Sequence, residues 1–332
     1  MTFEQMEVPV VPGQMVGPVI APQAAEPVSY ERLALVTGRH NWWRPFLGTI
    51  VLLGLTVAAM VPIFGVVDIT GAFLDVPRDA DDWPLFGDIP DTAFLLLLSA
   101  VPLPALALTA RWVQKRRWGT LSSVVGHLRW SWLRTCLALA AAPIAVLLAV
   151  SFLMDPLDDS AWVGWGTFLT GLAVVVCLVP FQAAAEEYVC RGWLLQATGC
   201  FVRSPLLVLI PQAVLFAAAH GLGTPWGFAS LVIFGLCTGW LTIRTGGLEA
   251  ALGLHITTNV LGLGAAAAYT GGLASDETAA DMPWPMFLLD TTLTITFTAL
   301  ILHLANRRNL TTHFTPPPTE RTVADGINRP LV

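Results

Sequence analysis

Charge is scarce in this sequence. Asp, Glu, Lys and Arg make up 12% of its 332 residues, against about 25% in a soluble domain, which excludes an ordinary water-soluble globule. A hydrophobic content of 55% and a mean hydropathy of +0.67 leave a polytopic membrane protein. The five cysteines (Cys136, Cys177, Cys190, Cys200, Cys237) form no C-x-x-C pair or other metal spacing, so disulfides and cysteine-held zinc are not expected. His-Glu-x-x-His is absent, as is any visible internal repeat. The first 40 residues hold no continuous apolar run, so no signal peptide is expected. The final Arg-Pro-Leu-Val does not make the chain a prenylation substrate itself. The net charge of −6 points to no partner, because the charges are sorted by position; no nucleic-acid partner is expected.

What is present is a series of apolar runs of about 17–25 residues, the length that crosses a bilayer as a helix. Spans are expected near 45–66, 92–111, 134–154, 167–195, 205–222, 227–243, 247–269 and 284–305. The fold class is therefore all-α, a polytopic transmembrane helix bundle of about eight spans. Eight spans divide the loops into two sets. One set (the 1–44 tail, 111–134, 196–204 with nearby Arg191, 244–247 and 306–332) holds 16 of the 17 Lys and Arg; the other holds only Arg78 but 13 of the 23 acidic residues. Lys and Arg near spans mark the cytoplasmic side. An integral membrane protein of the plasma membrane, with both termini cytoplasmic and the bilayer as a partner, is expected.

This divides the chain into a Pro-rich cytoplasmic tail (1–44), a three-helix region (45–166), a core (167–269), a last loop and span (270–305) and a second tail (306–332). Trp42-Trp43, Trp83, Trp162, Trp165, Trp226 and Trp284 fall at span edges, where aromatic belts belong. The 111–134 loop starts basic and becomes amphipathic, which reads as an interfacial helix on anionic lipid or as a plain positive-inside loop.

Glu186-Glu187-Tyr188-Val189-Cys190-Arg191 interrupts the fourth run. Three ionisable groups at mid-span would cost roughly 7–10 kcal/mol if unpaired. Glu187 and Arg191, four apart, share a face and can pair. Glu186 points about 100° away, shares a face with Gln182, and is left free as a general base. The next span carries Gln212, Phe216 and His220 in one stripe. Two spans later His255 and Asn259 share a face. Asn and His in membranes often only bridge helices; three such segments together supply the parts for activating a water and stabilising an oxyanion. Glu249 is expected to pair with Arg244. Asp290 has no evident partner, and His40, His127, His303 and His313 are given no role.

In order, Glu-Glu-x-x-x-Arg (186–191), Phe-x-x-x-His (216–220) and His-x-x-x-Asn (255–259) resemble the type II CAAX prenyl endopeptidase family, the CPBP or Abi group of intramembrane proteases. Gly235, Gly239 and Thr245-Gly246-Gly247-Leu248 resemble its Gly-rich lead-in. The resemblance covers roughly 167–264. It implies a membrane-embedded endopeptidase acting on a membrane peptide or protein substrate, with Glu186 and His220 activating water. His255 and Asn259 would hold the oxyanion, Glu187 and Arg191 would support, and Phe216 would shape the pocket. It also implies either a metal-free reaction, the reading preferred here, or zinc on Glu186, His220 and His255. Two readings compete: a non-proteolytic peptide-binding immunity or regulatory protein using the same pocket, and a proton-coupled transporter. The latter is disfavoured because the polar residues are confined to the second half of the chain.

Overall fold

Lipid offers the backbone no hydrogen bonds, so a long apolar run must satisfy its own N–H and C=O groups, and a helix does so within one segment. The structure, a computed structural model, describes residues 26–154, 161–275 and 277–316. Most of both tails and the loop acids Asp155, Asp158, Asp159 and Asp276 lie outside the described residues. Residues 28–314 form one compact unit. The elements in order are β1 (Val28–Ser29), a short 3-10 turn, α1 (Leu33–Val36), α2 (Arg44–Leu74), α3 (Asp88–Ala100), α4 (Pro102–Trp112), α5 (Gly119–Ser122) and α6 (Trp130–Met154). They continue with α7 (Trp165–Glu187), a π-helical turn (Tyr188–Leu194), α8 (Leu195–Gly199), α9 (Leu209–Ala219), α10 (Pro225–Thr245), α11 (Glu249–Ala266), α12 (Trp284–Arg307) and β2 (His313–Phe314). The protein is an all-α polytopic bundle.

Among the described residues, six helices are long and apolar enough to cross a membrane: Arg44–Leu74, Asp88–Trp112, Trp130–Met154, Trp165–Gly199, Pro225–Thr245 and Trp284–Arg307. The second of these joins α3 and α4 through Val101, which keeps helical dihedrals ahead of Pro102. Two expected spans fall short. Helix α9 has 11 residues, and α11 has 18 with His255 and Asn259 among them. Helix α9 is short because residues 205–208 are turns, and α11 carries polar residues along its length.

Helix α11 lies between α6 and α7, α10 packs on α9 and α12, and α12 closes back onto α6. The approach of α10 to α9 depends on Gly235, where an added Cβ would lie 2.7 Å from the Ala213 Cα. Helix α2 is mostly exposed along its length, as a lipid-facing helix should be.

The side read as cytoplasmic is closed by packed loops. Residues 111–134 do not form an interfacial amphipathic helix: only the end of α4, α5 and the start of α6 are helical there. Leu121, Val124 and Trp132 are buried. The Val124 N–H donates to the Gly246 carbonyl at 2.8 Å and the Leu248 N–H to the Ser122 carbonyl at 2.9 Å. Tyr30, itself fully buried, donates its hydroxyl to the Leu121 carbonyl. The amphipathic pattern reported burial correctly, but the covering surface is protein rather than lipid. Beside it the buried Arg116 donates to Gln196, and desolvation pulls its pKa down to about 10.

Glu249 does not pair with Arg244, whose guanidinium lies over the Trp240 ring. It is fully buried and held by Arg129. The Arg129 backbone N–H (2.8 Å) and Nε (2.9 Å) donate to Oε1, and Nη2 (2.7 Å) donates to Oε2. Arg129 also donates to the Thr245 and Thr311 carbonyls. Strands β1 and β2 pair antiparallel and complete this layer.

Candidate active site

Just above that layer, the three motifs meet. The π-helical turn follows Glu187 directly, and within it Arg191 is fully buried. Its Nη1 donates to Glu187 Oε1 at 3.1 Å, the i,i+4 pair that the spacing predicts. The same Oε1 accepts from His255 Nδ1 at 2.8 Å. A side chain from α11 is thus fixed by a carboxylate from α7. Phe216 packs over this group, with the Arg191 guanidinium carbon 4.3 Å from its ring centre. Its ring meets that of His255 edge-on at 5.7 Å and that of His220 at 4.7 Å. Phe234 completes the cage, stacked on Phe216 and edge-on to His255. Aromatic faces spread over a buried guanidinium replace some of the solvation it loses.

His220 caps the C-terminus of α9, and its Nδ1 lies 2.8 Å from the Phe216 carbonyl. A carbonyl only accepts, so Nδ1 carries the proton there. By the same logic the Glu187 carboxylate takes the Nδ1 proton of His255. In each neutral ring Nε2 is then the free lone pair. Both point at one atom: Glu186 Oε2 lies 3.9 Å from His220 Nε2 and 3.7 Å from His255 Nε2. These separations exceed a direct hydrogen bond, and Oε2 is a buried atom with no protein partner. The other oxygen, Oε1, accepts from Gln182, and Gln182 Oε1 accepts from Asn259 Nδ2 at 3.0 Å.

An unpartnered carboxylate oxygen facing two imidazole lone pairs requires something between them that donates or carries positive charge. A water suits the spacing, since it can reach atoms about 2.8 Å away on either side. Zinc would find donors of the right kind, but tetrahedral zinc holds its ligand atoms only ~3.3 Å apart. Among the described residues no group of three His, Cys, Asp or Glu has the geometry to hold a metal ion. The donors match zinc in chemistry, and as placed here their separations of 3.9 and 3.7 Å suit a bridging water.

The depth of His220 follows from where its helix starts. Taken from Ser204 the stripe would put it about 24 Å along its span, deeper than its partners. Residues 205–208 are turns, and α9 begins at Leu209, so His220 lies about 16 Å along. Gln212, the first member of the stripe, stays out of the site and donates to the Leu209 and Gly235 carbonyls. Asp290 has a partner after all, the Ser230 hydroxyl. Spacing alone did not single out Phe234 or the Thr278 hydroxyl, which donates to the His220 carbonyl at 3.3 Å. Phe234 sits one residue before Gly235 in the Gly-rich stretch, and Thr278 left no sequence signal.

Residues 167–261 match the model of the Rce1-like family, described as type II CAAX prenyl endopeptidase Rce1-like. The uncharacterized protein YyaK of Bacillus subtilis (strain 168) is 27% identical over 237 residues, which cover 68% of this chain and 78% of that one. No solved structure matches the chain. The CPBP-type resemblance drawn from the motifs is thereby shown over the stretch that carries all three of them.

Proposed function

We propose that this protein is an intramembrane endopeptidase that hydrolyses a peptide bond in a membrane-associated polypeptide without a metal ion. The Rce1-like match supports a membrane-embedded endopeptidase. The observation that carries the finer reading is Glu186 Oε2, buried, unpartnered and faced by Nε2 of both His220 and His255. A water held there gives a proton to Glu186 as its oxygen attacks the substrate carbonyl carbon. His220 holds the water from the second side. The oxyanion forms near His255 Nε2; the ring takes a solvent proton on that nitrogen as substrate enters, returns it when product leaves, and Glu187 behind Nδ1 balances its charge in between. Asn259 Nδ2 gives one hydrogen to Gln182 and has a second for the oxyanion. The proton on Glu186 then passes to the leaving nitrogen as the C–N bond breaks, so the carboxylate is restored.

The test compares new peptide termini in the membrane proteome of cells carrying wild-type protein, Glu186→Gln protein or neither. Wild-type-only termini are expected, with a rate loss of about 10²–10⁴-fold for Glu186→Gln and no change in its elution or melting. A zinc chelator should leave the wild-type termini in place; their disappearance would reinstate the metal reading. Identical termini from wild type and Glu186→Gln, with both rescuing a deletion phenotype, would favour the non-proteolytic peptide-binding alternative.

A further inference from the structure

Resting on that reading, we infer that Gln182 is a positioning residue for both halves of the reaction: its side-chain amide aims the Glu186 base and fixes which end of the Asn259 amide is offered to the oxyanion. Gln182 lies outside all three motifs, one helical turn before Glu186, and is 7% exposed. Its Nε2 donates to Glu186 Oε1, and its Oε1 accepts from Asn259 Nδ2 at 3.0 Å. One side chain thus joins α7 to α11 and touches the base and the oxyanion donor together.

The order of donors along this bridge follows from its charged end. A carboxylate only accepts, so the Gln182 nitrogen faces Glu186 and its oxygen faces Asn259. That oxygen accepts in turn, so Asn259 must present its nitrogen. The charge on Glu186 therefore dictates, through two amides, that Asn259 has a hydrogen to offer rather than a lone pair. With an apolar residue at 182 the Asn259 amide is free to turn over, and its carbonyl then meets the oxyanion as a like partial charge.

The neutrality of the amide matters as much as its direction. Glu187 is held by the Arg191 cation and by His255, which suits a supporting charge. A cation at 182 would hold Glu186 as firmly but would compete with the water for its charge. The amide instead occupies Oε1 and leaves Oε2 facing Nε2 of His220 and of His255.

The experiment follows cleavage, by full-length protein in liposomes, of a peptide spanning the position at which the wild-type-dependent termini arise. Gln182→Met removes donor and acceptor at nearly constant length. Its kcat should fall about 10–100-fold with KM unchanged. Asn259→Ala alone should cost about 10²–10³-fold in kcat, but much less on top of Gln182→Met, where that amide is no longer held as a donor. Gln182→Asn keeps a buried amide one carbon too short to reach both partners. It should show the same kcat loss, and decides the matter if Gln182→Met does not fold. Wild-type kcat in the Gln182 variants, a loss carried by KM, or an undiminished cost of Asn259→Ala beside Gln182→Met overturns the assignment. Absence of any wild-type-dependent termini removes the protease reading itself, whereas full cleavage by the Gln182 variants removes only the role of Gln182.

Discussion

Two buried carboxylate–arginine knots lie within a few helical turns of each other, and they are built to different standards. In the layer of packed loops, Glu249 has both oxygens bonded to Arg129, which also donates to two carbonyls. In the site, Glu187 leaves Oε2 and Arg191 leaves Nε and Nη2 without hydrogen-bond partners, and Glu186 Oε2 is free as well. A buried polar atom without a partner typically costs about 1–3 kcal/mol. The first knot is a fastening with every bond made. The second gives up bonds to keep charge and hydrogen-bonding capacity available, the signature of a place where something must bind and react.

That contrast can be broken at either knot. The largest effect is expected from Arg129→Ala, which leaves the Glu249 charge buried and unpaired and should cost about 3–5 kcal/mol of stability. Thermal unfolding in detergent reads this directly, and an unchanged midpoint would mean the layer is not held as described. Glu187→Gln sharpens the comparison from the other side. It keeps the size of the side chain but removes the charge behind His255 Nδ1, and should slow cleavage by about 10–100-fold while lowering the melting midpoint less than Arg129→Ala does, because the amide oxygen can still accept from the buried Arg191. A large melting shift without a rate effect would make the site knot another fastening. The smallest effect belongs to Tyr30. Burial raises its hydroxyl pKa well above the usual 10.0, so the neutral phenol favours the folded state. Its contribution is full below pH 10 and fades as pH rises through the higher folded value. Tyr30→Phe should cost about 1 kcal/mol at neutral pH and flatten that alkaline loss. A stability–pH curve as steep as wild type's would exclude Tyr30 as its source.

What could be read from the sequence were relations within one helix. Span positions follow from apolar runs, the Glu187–Arg191 pair from a spacing of four, and the Gln182–Glu186 contact from the same rule. What could not be read was how one helix is rotated against another. His255 and Asn259 share a face at any rotation, yet only packing turns His255 Nδ1 onto Glu187 and Asn259 onto Gln182. Arg129 and Glu249 are separated by 120 positions, and no local rule joins them, so Arg244 at five positions' distance looked the better partner. The 111–134 loop shows the same limit, because its apolar face named no covering surface.

The π-helical turn at Tyr188–Leu194 has a consequence of its own. Such a turn bonds i to i+5, so it holds one residue more than a regular helix of the same length would need. Removing any single residue between 188 and 194 would give the long helix a more regular backbone. It would also rotate Leu195 and Gln196 by about 100° relative to Glu186 and Glu187, swinging Gln196 away from Arg116 and the Thr120 carbonyl. The segment is therefore a worse isolated helix than it could be, and the misfit of one inserted residue lets the same helix carry the Glu186 carboxylate on one stretch and Gln196, the partner of buried Arg116, on the next.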